Sequence, residues 1–188
     1  MSLKHAILGF LSYLPLSGYD LKKAFDGSVQ HFWPANQSQI YRTLAELEED
    51  GMVKKEVIER EERLDMKIYH VTEAGRTELH AWLTTPQPER DDREPFLIQV
   101  YFGGQISDPE LLKVMKHKLK ETEERLAVYE AVHQMIQNTP QMINDPRAIF
   151  LSVLTLEAGY VNNQSIAAWL RSAIERIEKK KYKIKIGK

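Results

Sequence analysis

Cysteine is absent from the 188 residues. That excludes disulfides, thiol nucleophiles and cysteine-ligated zinc, and it fits a reducing compartment. No stretch reaches the ~18 consecutive apolar residues of a membrane-spanning helix. Met1 to Leu14 has a lysine and an apolar run, as a secretory leader would. Yet Leu3, Ala6, Ile7, Phe10, Leu11 and Leu14 follow a helical period, and no small-residue cleavage site comes after them. A soluble, cytoplasmic protein is expected. An excess of positive charge is also missing: the net charge is −1 and the isoelectric point is near 6.6. Nucleic-acid binders are usually basic, so any DNA contact here rests on where the cations stand and not on their number. Catalytic signatures are lacking too. The six histidines, at 5, 31, 70, 80, 117 and 133, include no two with metal-ligand spacing beside a carboxylate on one helix face. There is no glycine-rich phosphate loop and no nucleophile elbow. Neither an enzyme nor a bound cofactor or metal is expected.

What the chain does contain is 43% hydrophobic residues, enough for a sizeable core. Its organising stretch is ANQSQIYRTLAELEEDGMV, Ala35 to Val53. Asn36 is a good N-cap, and Gln39 three positions on can close a capping box. Gly51 is the left-handed stop after Glu48, Glu49 and Asp50. Ile40, Leu44 and Leu47 share a buried face, whereas Ser38, Arg42 and Ala45 point away, flanked by Gln39 and Tyr41. Hydroxyl, amide and guanidinium groups beside a small alanine suit a DNA groove. An ordinary amphipathic helix with a polar outside would look the same in isolation.

Its neighbours favour the DNA reading. A helix over Ser2 to about Leu14 is ended by Pro15. Ser17-Gly18-Tyr19-Asp20 opens a second helix burying Leu21, Ala24 and Phe25. Phe32-Trp33-Pro34 is an aromatic turn. After Gly51, Val53–Ile58 and Lys67–Val71 read as strands of a hairpin with a charged tip. Thr72 then caps a helix to about Leu83 whose apolar side is Leu79, Trp82 and Leu83. Helix, helix, helix, hairpin, helix is the order of a winged helix-turn-helix, with Ala35 to Asp50 in the recognition position. Lys22 and Lys23 in the second helix, Arg42 in the third, and Arg60, Arg63 and Lys67 in the hairpin are candidate DNA contacts. Interleaved Glu59, Glu61, Glu62 and Asp65 keep open a reading of solvated charges, and with it a winged helix used only for protein contacts.

Thr84 to Pro95 is rich in proline and charge and marks a linker. The expected organisation is a winged helix over 1–85, a linker over 86–95 and a helical domain over 96–188, a mainly α fold with a β-hairpin wing. Phe96 to Phe102 is a short helix. Ser107 to Glu110 launches a long one with the stripe Leu112, Met115, Leu119, Thr122, Leu126, Tyr129, His133 and Ile136. Asp145-Pro146 starts the last, with Ile149, Val153, Leu156, Tyr160, Asn163, Ala167, Leu170, Ile174 and Ile177. Such stripes need partner helices, which points to a homodimer seam built on Leu119, Leu126, Tyr160, Asn163, Leu170 and Ile174. Tyr101, Phe102 and Trp169, with His133 as a polar handle, are candidates for a small aromatic effector's pocket at the junction of the two halves. Interface core is the favoured reading of the same rings, since Trp and Tyr are common there.

The chain resembles the PadR family of bacterial transcription regulators, in its longer subgroup with a C-terminal helical dimerisation domain. LKHAILGFLS, LSGYDLKKAFD, HFWPANQSQIYRTLAELEEDGMV and KIYHVTEAGRTELHAWL carry the resemblance, with the looser LTLEAGY and AAWLRSAIERIE beyond. Arg42 departs from the proline common after this tyrosine. The resemblance implies homodimeric, usually repressing regulators of a two-fold-symmetric DNA site, some of which release DNA on binding phenolic acids or other small aromatics.

Overall fold

The structure is a computed structural model that describes residues 2–59, 65–88, 93–138 and 145–182. The chain divides into two compact units, Met1–Pro88 and Glu89–Lys188.

In the first unit, α1 (Ser2–Tyr13) is followed by β1 (Leu16–Ser17), α2 (Gly18–Asp26), a 3-10 turn at Val29–His31 and α3 (Gln37–Glu49). β2 (Val53–Ile58), β3 (Met66–Val71) and α4 (Glu73–Thr84) complete it. The core joins Ile7, Leu8 and Leu11 of α1 to Leu21 and Phe25 of α2, Ile40, Leu44 and Leu47 of α3, and Val53 and Tyr69 of the sheet. The apolar faces written into the three helices therefore meet each other. Two features depart from expectation. β1 pairs antiparallel with β3, Leu16 opposite Tyr69, so the hairpin becomes a three-stranded sheet in the order β1-β3-β2. Two residues are too few to show a strand's period. Leu83, assigned to the buried side of α4, is 66% exposed. That helix is held by the residue before Leu83: the His5 ring lies flat on Trp82, with centroids 4.5 Å apart. His5 Nε2 is 3.1 Å from Glu78 Oε1, and Lys4 Nζ is 2.5 Å from the same oxygen. These ties fasten α1 to α4. At its start, α4 crosses the sheet corner so closely that only glycine fits: a Cβ on Gly75 would stand 2.2 Å from the Met52 carbonyl oxygen.

The second unit contains α5 (Pro95–Tyr101), a 3-10 turn at Gly103–Gln105, α6 (Asp108–Asn138) and α7 (Pro146–Glu178). Ser107 N–H and Oγ both donate to Glu110 at the start of α6, and Asp145 accepts from Arg147 N–H at the start of α7. The two long stripes face each other within one chain. Met115 on α6 and Leu170 and Ile174 on α7 pack with Phe96 of α5. Arg171 pairs with Glu123 at 2.7 Å and Lys116 with Glu178 at 2.6 Å across the same seam. Each fully buried leucine or isoleucine there contributes roughly 1.5–3 kcal/mol.

The same packing bears on the residues expected at a dimer seam. Leu170, Ile174 and Asn163 are buried inside the chain and leave water without a second copy, whereas Leu119, Leu126 and Tyr160 are half-buried there. Asn163 is satisfied by its own helix, donating to the Gly159 carbonyl at 2.8 Å. On the two long helices, exposed apolar surface includes Phe150, Leu151, Leu154 and Val161 of α7 and Val128 of α6. Among the described residues, no helix is long and apolar enough to cross a membrane.

Candidate nucleic-acid interface

α3 is stopped at both ends by its own sequence. Gln39 N–H donates to Asn36 Oδ1 and Asn36 N–H donates to Gln39 Oε1, each at 2.9 Å, closing the capping box. At the other end Gly51 adopts φ 69°, the left-handed conformation that favours glycine. Between these stops the helix buries Ile40, Thr43, Leu44 and Leu47 and exposes Ser38, Gln39, Tyr41, Arg42 and Ala45. The cap leaves Gln39 with its amide NH2 as the outward group, since the carbonyl oxygen is engaged. Arg42 is 76% exposed on its side chain, with Glu46 at 3.7 Å one turn on.

Tyr41 is aimed by a glycine. Its ring lies over Gly18, where a Cβ would be 2.5 Å from Cε1. The start of α2 and the first turns of α3 thus approach closely, and the ring stands on the rim with 41% of its surface exposed. The far end of α3 is fastened to the wing: Lys55 Nζ of β2 is 2.8 Å from Glu48 Oε1 and 3.0 Å from Oε2. That hydrogen bond raises the Lys55 pKa. Burial raises the pKa of Tyr69 on the neighbouring strand, opposed by Lys55 and helped by Glu48 and Tyr41. The Lys55–Glu48 pair thus ties the end of α3 to the first strand of the wing.

Lys22 and Lys23, expected DNA contacts on α2, each have a partner of their own. Lys22 pairs with Asp26. Lys23 lies over the Tyr19 ring, 4.8 Å from its centroid. Lys67 is exposed on β3, opposite Val57. Arg60 and Arg63 lie outside the described residues.

The candidates for an effector pocket are not gathered within the second unit. His133, expected inside an apolar stripe, is exposed and lines a cleft between α6 and α7 that also contains Tyr160. Trp169 stands nine residues further along α7, roughly 13 Å up the axis, edge-on to Phe96 at 6.2 Å. Tyr101 and Phe102 stack edge to face at the end of α5, 82% and 55% exposed. Sequence reasoning missed the carboxylates Glu130 and Glu157, which line the cleft beside His133.

A three-helix core with a hairpin wing, its third helix presenting a polar outer face, defines a winged helix-turn-helix regulator. Residues 7–81 match the profile of the transcriptional regulator PadR-like family, and residues 93–178 match that of the virulence activator alpha C-terminal domain. The chain is 30% identical to the probable transcriptional regulator Rv1176c of Mycobacterium tuberculosis, over 96% of its own length and 100% of that protein's. It belongs to the PadR-like family of transcriptional regulators. It is also 29% identical to the negative transcriptional regulator PadR of Bacillus subtilis, covering 94% of this chain and 98% of that one. Crystal structures of Bacillus PadR superpose with TM-scores of 0.81 in complex with operator DNA and 0.77 in complex with p-coumaric acid, both at 28% identity. They cover 94% of this chain and 99% and 95% of theirs. The virulence activator AphA of Vibrio cholerae superposes at 0.77 with 26% identity, covering 95% of this chain and 99% of that one.

Proposed function

We propose that this chain is a cytoplasmic, non-catalytic, homodimeric repressor that binds a two-fold-symmetric DNA site. The observation that carries the reading is α3: a helix capped at both ends, tied to the wing, with Ser38, Gln39, Tyr41 and Arg42 on its open face. These four read base edges in the major groove. Lys22, Lys23 and Lys67, with Arg60 and Arg63, take the backbone phosphates. The operator complex of the Bacillus relative supports this assignment, and that relative's description as a negative regulator supports repression. The exposed apolar residues of α7 supply the face for a second copy. The p-coumaric acid complex supports release by a small aromatic effector.

The experiment is a gel shift on the DNA upstream of the chain's own gene. Arg42→Ala weakens binding by about 1–3 kcal/mol if the guanidinium reads a base edge. Unchanged affinity sinks the recognition-helix assignment. A second reading, a winged helix for protein contacts alone, draws on the net charge of −1 and on the pairing of Lys22 and Arg42 with their own carboxylates. Absence of any shift at low salt selects it.

A further inference from the structure

The α6–α7 hairpin holds a cleft of about 390 Å³, inside the range of small-molecule sites. Leu156 contributes a buried apolar surface. Two phenol rings, Tyr129 and Tyr160, line it from opposite helices. Tyr129 is 5% exposed and presses on α7 at Gly159, where a Cβ would stand 2.5 Å from its hydroxyl. The glycine lets the ring lie across the helix and keeps it there. Tyr160 donates to Glu130 Oε1 at 3.3 Å, which ties the two sides of the mouth together. Glu157, also in the lining, has no ion pair with another described residue. The remaining polar lining includes His133 and Gln134, and among the described lining residues there is no lysine or arginine.

Two carboxylates, two aromatic rings and an apolar floor, with no lysine or arginine in the described lining, select for positive charge. Ring faces attract ammonium groups, and carboxylates hold them by charge-assisted hydrogen bonds. We infer that this cleft binds a small organic cation, an amine or quaternary ammonium on an apolar body. The body packs on Leu156 and the phenol rings, and the charged head is held by Glu157 and Glu130. Aromatic carboxylates are turned away by the same two groups. The site is therefore distinct in ligand charge from an aromatic-acid effector site, and the inference does not rest on DNA binding.

The test is calorimetry on the full chain with three probes of one shape: naphthylmethylamine, naphthylmethanol and naphthoate. The amine binds once per chain, about tenfold tighter than the alcohol, and naphthoate gives no heat. Glu157→Gln lowers amine affinity about tenfold and leaves the alcohol unchanged, and so does Glu130→Gln to a similar degree. Both side chains are exposed, so both variants keep the parent melting profile. Naphthoate binding as well as the amine, or amine affinity indifferent to both substitutions, overturns the inference. So does a cleft that takes none of the three, as it would if a second copy of the chain filled it.

Discussion

Two glycines in the winged helix set up a comparison in which one chemical change acts with opposite signs. Gly9 lies in α1 with nothing within 4 Å of the position a Cβ would take. Gly75 lies in α4, where that atom would meet the Met52 carbonyl at 2.2 Å, Val71 Cγ2 at 2.9 Å and Leu8 Cδ2 at 3.1 Å. The first of these is well inside the 3.4 Å at which ordinary contact begins. In a helix, glycine to alanine alone gains about 0.5–1 kcal/mol by restricting the unfolded chain. Gly9→Ala keeps that gain. Gly75→Ala loses it to overpacking, roughly 1–3 kcal/mol, and to strain on a carbonyl that cannot retreat freely. Met52 O already accepts from Thr72 N–H at 3.0 Å and Thr72 Oγ1 at 3.1 Å, and weakening that pair costs about 1 kcal/mol more. The net effect is a destabilisation of about 2–3 kcal/mol. For a unit of this size that lowers the melting temperature by about 10–20 °C, against a rise of a few degrees for Gly9→Ala. Scanning calorimetry of the two full-length variants reads both. If Gly75→Ala melts at or above the parent, the tight crossing of α4 over the sheet corner is wrong.

Other expectations follow from single contacts. Glu78 is held below its ordinary pKa of 4.5 by Lys4 first and His5 second. Its contribution to stability is present above pH 4.5 and is lost as pH falls through the lowered value, so Glu78→Gln is less stable than the parent at neutral pH and converges with it in acid. Denaturant midpoints across that range check it, and a constant gap would contradict it. Leu154→Glu places a charge on the exposed apolar face of α7 and converts dimer to monomer in sedimentation, whereas a variant that stays dimeric moves the interface elsewhere. Lys67→Ala weakens binding to all DNA sequences alike and reduces the salt slope by about one. Selective loss on one operator would make Lys67 a base reader instead.

Much of the winged helix was legible because its signals are local. Asn36 with Gln39, Ser17 with Asp20, Thr72 and Gly51 mark helix ends through groups a few residues apart, and stripes such as Ile40-Leu44-Leu47 name their own inner face. β1 escaped because Leu16 and Ser17 pair with residues more than fifty positions away. In the second unit the stripes announced burial but not the partner, and α6 and α7 met each other within one chain. His133 sat in register with the stripe, yet lies where the seam opens. Glu130 and Glu157 carry no local signal, and only the hairpin sets them beside two phenols. The fit of Tyr129 into Gly159 joins positions thirty apart, and no short-range pattern contains it.

The pairing of cations with the chain's own carboxylates has a consequence for nonspecific binding. Lys22 faces Asp26, Arg42 faces Glu46 and Lys55 is held by Glu48. A phosphate met at random must draw these groups away from neighbours they already have, at the small cost typical of an exposed pair, which reduces their share of the counterion-release gain. A regulator built this way is expected to hold to the bulk chromosome less than one with the same cations unpaired. The genome's reservoir of competing sites then takes up fewer molecules, which a comparison of nonspecific affinity between the parent and Glu46→Gln would read. Promoter occupancy then tracks the number of copies in the cell directly, and a small change in expression of the regulator is felt at its gene.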